Sequence, residues 1–335
     1  MTQAPRWQNQ KEGRFYDQIE ITQRLSGPLA LPLHVLTGRN DGPTLGITCT
    51  IHGDETVPAM MVRRLLSEID TSELSGRVCT IPVCNPLALA AFNRQTPEQH
   101  GKTDLHEVFP GHAKGNLTQM LAHGIASNLV EHVDVMIDYH CGGSGGRLQG
   151  RVDYQQSAPD DLKEKSLALG RHFGTVFLHE NNLTGTDVGY ANSLGKVAFN
   201  AETAGIYLHP SDTQSYIDKG VWGFKNVMKA MGMLPGDAEA PPRQINFSPA
   251  GRIEINPGRG GFLESHFQSP DDLGTEISKG EKLGDLIDMY TFEVVEELIA
   301  PVDGYLFFSR YSGVVDAGTK VFALAEQAQS KWLEG

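Results

Sequence analysis

The sequence predicts an α/β domain followed by a smaller all-β domain. Three observations lead to this. Apolar strand-like runs alternate with amphipathic helical patterns over the first two thirds of the chain, as in a largely parallel sheet covered by helices. A Pro- and Ala-rich stretch, LPGDAEAPPRQ at residues 234–244, then interrupts the pattern. Beyond it come short β-type segments punctuated by glycines and Asp-Gly turns. The expected division is 1–236 for the first domain and 245–335 for the second.

The elements follow in order. Residues 18–37 read as short strands joined by turns. A turn at Asn40–Asp41–Gly42–Pro43 precedes a strand from Leu45 to Ile51. ETVPAMMVRRLLSEID is a helix: Pro58 suits its first turn, and Met61, Leu65 and Ile69 make an apolar stripe at steps of four. GRVCTIPVCNP is the next strand, GNLTQMLAHGIASNLVEHV a helix, and VDVMIDYHCGG a strand running into glycines. LKEKSLALGRHFG, KVAFNAETAG and QSYIDKGVWGFKNVMKAMGML complete the domain as helix, strand and helix. Antiparallel neighbours within the sheet stay open. GRIEI, GGFLESHF, TFEVVEELIAP, GYLFFSR and TKVFALAE are the strands expected of the second domain.

Composition narrows the class. The chain of 335 residues is long enough for a sizeable core, and its 39% hydrophobic and 21% charged residues are those of a globular protein. No apolar run reaches the roughly 18–20 residues that span a bilayer, so no membrane partner is expected. The first residues, MTQAPRWQNQKEGRFYDQ, lack the apolar core of a signal peptide, and the expected location is cytoplasmic. A net charge of −13 counts against nucleic-acid binding but leaves a small anionic substrate open, because a pocket carries its own charge. Cys49, Cys79, Cys84 and Cys141 are too sparse for a disulfide scaffold and read as buried free thiols.

The chemistry sits at predicted strand ends. His52 and Glu55, in TCTIHGDETVPAMM, follow one apolar strand directly. In open α/β sheets, ligands bind outside the carboxyl ends of the strands. Alone, the pair is weak evidence and reads first as a polar turn capping a helix. His140 ends a second apolar strand, and two histidines with one carboxylate and an open position suit a catalytic zinc. Asp138 lies two residues earlier on the same side of that strand, where it either orients His140 or is an ordinary buried carboxylate. Glu202, in VAFNAETAG, ends a third strand and is placed to move a proton during metal-assisted hydrolysis.

Taken together, HGDE, DYHCGG, NPLALAAFNR and FNAETAG resemble the succinylglutamate desuccinylase/aspartoacylase family of carboxypeptidase A-like zinc hydrolases, from about residue 20 to the end. The resemblance implies a zinc-carboxypeptidase-like α/β/α sandwich around a mixed sheet, and zinc-dependent hydrolysis of an N-acyl amide. It implies one zinc ion per chain, held by His52, Glu55 and His140, with Glu202 as general acid/base and Arg94 at the oxyanion. One departure matters. Where family members usually carry Asp-Leu-Asn-Arg before Phe-Pro, this chain reads TDLHEVFPG, with His106 and Glu107. A glutamate in place of the arginine would repel a carboxylate and attract an ammonium group. That points to an N-acetyl diamino acid such as Nα-acetyl-2,4-diaminobutyrate. The alternative is that Glu107 points away and Arg147 or Arg151 holds the carboxylate. His106 and Tyr190 are further candidates for the substrate pocket.

The C-terminal segment resembles the barrel-sandwich of biotinyl and lipoyl carriers, but IDMYTFEVVEE offers no lysine at the hairpin tip, so no such cofactor is expected. The domain would wall the pocket, of its own chain or a neighbour's, or build a homo-oligomer interface. The expected function is zinc-dependent deacylation of a small N-acyl amino acid. A metallocarboxypeptidase and a non-catalytic metal-dependent binding protein are the competing readings.

Overall fold

The computed structural model describes residues 5–143, 145–205 and 210–335. The first part of the chain supplies strands β1 (Gly13–Arg24), β2 (Gly27–Thr37), β3 (Asn40–Cys49), β4 (Ser75–Ile81), β5 (Val135–Gly142), β6 (Gly146–Gln155), β7 (Phe177–Asn181) and β8 (Val197–Gly205). Its helices are α1 (Val57–Glu68), α2 (Pro86–Ala91), α3 (Leu117–Asn128), α4 (Asp160–Arg171), α5 (Asp187–Ser193) and α6 (Pro210–Ala230). No helix among the described residues is long and apolar enough to cross a membrane.

The sheet is mixed. Strands β4, β3, β5 and β8 run parallel in that order, while β1 and β2 on one side are antiparallel to their neighbours and β6 on the other is antiparallel to β8 but parallel to β7. Alternate residues of β3, β5 and β8 face opposite ways, as a pleated strand requires. Leu45, Ile47, Val135, Ile137, Tyr139 and Phe199 join one core with Met61 and Leu65 of α1 and Phe224 and Met228 of α6. Met136 and Ala198 join a second core on the other face, with Leu121 and Ile125 of α3 and Val188 of α5. Helices therefore cover both faces.

Four elements here had no counterpart in the sequence reading. Strands β6 and β7 and the short helices α2 and α5 lie where only loops or unassigned stretches were expected. The turn expected at residues 40–43 is absorbed into an irregular start of β3, paired to β4 with a register shift between Asn40 and Thr44. Gly42 permits it, because a Cβ there would lie 2.7 Å from the Ser75 carbonyl carbon.

After a stretch without regular structure the chain adds β9 (Gln244–Phe247), β10 (Arg252–Ile255), β11 (Gly261–Ser265), β12 (Glu276–Ile277), β13 (Lys282–Ile287) and β14 (Val294–Ile299). The last strands are β15 (Gly304–Arg310), β16 (Gly313–Val315), β17 (Phe322–Glu326) and β18 (Ser330–Leu333). A C-terminal β domain is therefore present. Its strands β14, β13, β11 and β16 form a sheet of their own, but β15, β17 and β10 continue the main sheet beyond β6. Phe308 of β15 pairs with Leu148 of β6 across that join. All four cysteines are buried and free, as expected.

Candidate active site

Two rows of polar side chains cross the sheet on the face of Met136 and Ala198. Thr48 on β3, Asp138 on β5, Asn200 on β8 and Asp153 on β6 are in register and form the first. His140, Glu202 and Arg151 form the second, one pleat nearer the carboxyl ends of β5 and β8. Polar residues at alternate positions of otherwise apolar strands thus become neighbours through register alone.

His52 and Glu55 reach this face from the turn after β3. Thr50 makes the turn with φ of 51° and donates its hydroxyl to the Glu55 carbonyl at 3.2 Å. Gly53 is required by packing: a Cβ there would stand 2.0 Å from the carbonyl carbon of Ala88 in α2. The closely packed α2 is capped by Asn85, whose side chain accepts from the Ala88 amide, and ends at Phe92 in the left-handed region. Arg94 follows two residues on.

His52, Glu55 and His140 converge with ligand atoms within 4.8 Å of one another, all three buried. His52 Nδ1 lies 2.8 Å from Glu55 Oε1, and His140 Nδ1 lies 2.9 Å from Glu55 Oε2. The far nitrogens also meet carboxylates: His52 Nε2 is 3.2 Å from Asp104, and His140 Nε2 is 2.6 Å from Asp138. A carboxylate only accepts, so a proton or a cation has to lie between each Nδ1 and Glu55. Burial would raise the Glu55 carboxyl, yet His52 and His140 hold it well below the usual carboxylate range. A dication serves the same place, and carboxylate-anchored imidazoles are how proteins commonly orient metal-binding histidines. The donor set therefore fits zinc, which takes histidine nitrogen and carboxylate oxygen with one position left open in catalytic sites.

Around this cluster Asp104 joins two groups. Its Oδ1 faces His52, and its Oδ2 accepts from Arg94 Nε at 3.1 Å. Arg94 Nη1 comes within 3.6 Å of Glu55, while the side chain stays half exposed to the pocket. His106 lies against both histidines, with ring centroids 5.5 Å from His52 and 4.7 Å from His140. Burial pushes its pKa down to about 4, so the imidazole is neutral, with Nε2 3.3 Å from Asp138. Behind Asp138, Thr48 contacts both Asp138 and the buried Asp187 at the start of α5. Glu202 is largely buried. Burial raises its carboxyl, and Arg151, 3.4 Å away, opposes that rise.

These residues open into a cavity of about 580 Å³. His52, Glu55, Arg94, His106, Glu107, His140, Arg151 and Glu202 are among the residues that line it. Asp138 lies beneath the floor. Glu107 stands exposed at the rim, its carboxylate 3.8 Å from Lys102 Nζ. Two candidates are elsewhere. Arg147 is buried with its guanidinium donating to the carbonyls of Phe267 and Gln268, so it ties β6 to the C-terminal domain instead of lining the cavity. Tyr190 lies within α5, not on a loop, and donates to Glu131 at 3.0 Å away from the site. Sequence reasoning missed Asp187, whose stretch reads as loop. It also missed Arg252, Phe308 and Lys320, which the C-terminal domain brings to the cavity wall of its own chain.

Comparisons with known proteins bear on the family and the fold. A family model for the succinylglutamate desuccinylase/aspartoacylase catalytic domain matches residues 41–228. The N-alpha-acetyl-L-2,4-diaminobutyric acid deacetylase of Halomonas elongata is 26% identical over 313 residues, covering 91% of this chain and 88% of that protein. Among solved structures, a succinylglutamate desuccinylase/aspartoacylase from Rhodobacter sphaeroides superposes with a TM-score of 0.81 at 24% identity, covering 94% of this chain and 96% of the other. The product-bound ectoine utilization protein of Ruegeria pomeroyi gives 0.82 at 21% identity, covering 95% and 97%. At these identities the two structures speak to the fold.

Proposed function

The chain belongs to the succinylglutamate desuccinylase/aspartoacylase family, and on that premise we propose that it is a zinc-dependent deacylase of small N-acyl amino acids, with an N-acetyl diamino acid as substrate. The observation that carries the reading is the convergence of His52, Glu55 and His140 beside Glu202 at the carboxyl ends of three strands. A zinc ion held by the three ligands would polarise the acyl carbonyl and acidify a water molecule. Glu202 takes a proton from the attacking water, oxygen bonds to the acyl carbon, and the carbonyl oxygen gains negative charge. Arg94, held by Asp104, presents its guanidinium to that oxygen, where a cation counts most in the transition state. The C–N bond then breaks. Glu202 returns its proton to the departing nitrogen, leaving a free amine and a carboxylic acid.

The diamino-acid preference draws support from acceptors. Glu107 at the rim replaces the arginine usual in the family, and Asn200, whose buried side-chain oxygen has no partner among the described residues, also lines the cavity. Both suit an ammonium group. The H. elongata relative is named for an acetylated diaminobutyrate. The test is hydrolysis by the zinc-loaded protein of Nα-acetyl-2,4-diaminobutyrate, N-acetyl-aspartate, N-succinyl-glutamate and neutral N-acetyl amino acids. The diamine derivative should be preferred, and Glu107→Arg should weaken that preference. Preference for the acidic substrates would overturn the diamino reading and leave the deacylase reading standing.

A further inference from the structure

Beyond Glu202 the wall of the cavity is cationic, and the outer part of it comes from the C-terminal β domain. Five cations line the cavity: Arg94, Lys102, Arg151, Arg252 and Lys320. Three of them face carboxylates of their own. Arg94 is bound to Asp104, Lys102 faces Glu107, and Arg151 is buried with its guanidinium on Asp153 and near Glu202.

The remaining two share one carboxylate. Arg252 on β10 donates from Nε at 3.1 Å and from Nη2 at 2.8 Å, both to Glu254 Oε1, leaving Nη1 without a hydrogen-bond partner among the described residues. Lys320, just before β17, keeps Nζ 3.8 Å from the same oxygen, beyond hydrogen-bond reach, and 4.5 Å from the Phe308 ring centroid. Two positive charges against one negative leave an excess at a partly buried wall. Donors remain free to take an anion, over a surface that Phe308 and Leu148 keep apolar.

The position suits one part of the substrate. The departing nitrogen has to sit at Glu202 to receive its proton, and in an Nα-acyl amino acid the carboxylate is two bonds from that nitrogen. Arg151 stands opposite Glu202 in register, and the next strands of the same sheet carry the wall on to Arg252. We infer that Arg252 and Lys320 form the subsite for the free carboxylate of the amino-acid substrate, so that the C-terminal domain supplies the grip that Glu107 denies to the rim loop. This rests on the deacylase reading above.

The experiment compares Nα-acetyl-2,4-diaminobutyrate with its C-terminal primary carboxamide, in wild type, Lys320→Met, Arg252→Gln and Lys320→Arg. Wild type should favour the acid. Each charge-removing variant should raise KM for the acid by about tenfold with kcat little changed, and leave the carboxamide unaffected. Lys320→Arg should restore the preference. A structural defect would depress both substrates alike. A parallel loss, or a wild type indifferent to the carboxylate, overturns the subsite. If the wild type hydrolyses neither compound, the diamino-acid reading fails instead. Calorimetric titration of wild type and Lys320→Met with the acid then decides the subsite: binding weakened in the variant supports it, and equal binding overturns it.

Discussion

Glu202→Gln separates the proton-transfer role from everything else the site does. Glutamine keeps the shape and one acceptor oxygen but takes no proton at neutral pH. General acid–base groups contribute roughly 10²–10⁴ in rate, and at about 1.36 kcal/mol per tenfold that is roughly 3–5 kcal/mol of barrier. The fold should hardly notice. Arg151, the charged neighbour of Glu202, keeps Asp153, which accepts from both Nε and Nη2. Metal content should also be unchanged, because Glu202 lies outside the cluster formed by His52, Glu55 and His140. The assay is steady-state hydrolysis of Nα-acetyl-2,4-diaminobutyrate, with zinc stoichiometry and a thermal melt on the same preparations. A kcat within about threefold of wild type would refute the mechanism, since that is far below the range for such a group. Loss of zinc together with activity would refute it differently, by making Glu202 a ligand.

Three further perturbations read other parts of the structure. Asp104→Asn leaves one acceptor where His52 and Arg94 each use one, so zinc affinity should fall roughly 10–100-fold, measured by competition with a chelating dye; unchanged affinity would remove Asp104 from the support of the site. Gly53→Ala drives a methyl into the backbone of α2, and a thermal melt should show destabilisation on the order of 1–3 kcal/mol with impaired turnover; a wild-type melt would mean that α2 moves freely. Lys320 carries the pH dependence. Burial, then the neighbouring Arg252 and Arg151, disfavours its ammonium form and pushes its pKa down to about 8, against the pull of Glu254 and Glu202. Below that pH it is charged and holds a carboxylate, and above it the attraction is lost. KM for the acid substrate should therefore rise as pH passes through about 8, while the carboxamide stays flat; identical profiles would refute the assignment.

The candidate site residues were legible because they stand at the ends of apolar strands. His140 and Glu202 each close a run whose alternation is easily read, and a parallel arrangement brings such ends together. The architecture followed from the same alternation. Short elements were harder. In α5, glycine and asparagine lower helix propensity, and the helix rests on its Thr186 cap, so Asp187 and Tyr190 read as loop. Arg147 reads from sequence as an alternative holder of the carboxylate should Glu107 point away, whereas β6 carries it into the join with the C-terminal domain. Arg252 and Lys320 left no local sign. Their approach to Glu202 depends on β15 pairing with β6, across more than a hundred and fifty residues of sequence, and pairing at that range leaves no trace in any short window.

That pairing has a mechanical consequence. Strand β6 is bonded to β8, which carries Glu202, and also to β15, which anchors the strands of the cationic wall. Both jaws of the cavity are thus fastened to one rod, and a hinge between them would have to tear backbone hydrogen bonds from the middle of a sheet. The sheet thus holds both walls of the cavity in one frame, so substrates are sorted by their fit to a rigid wall.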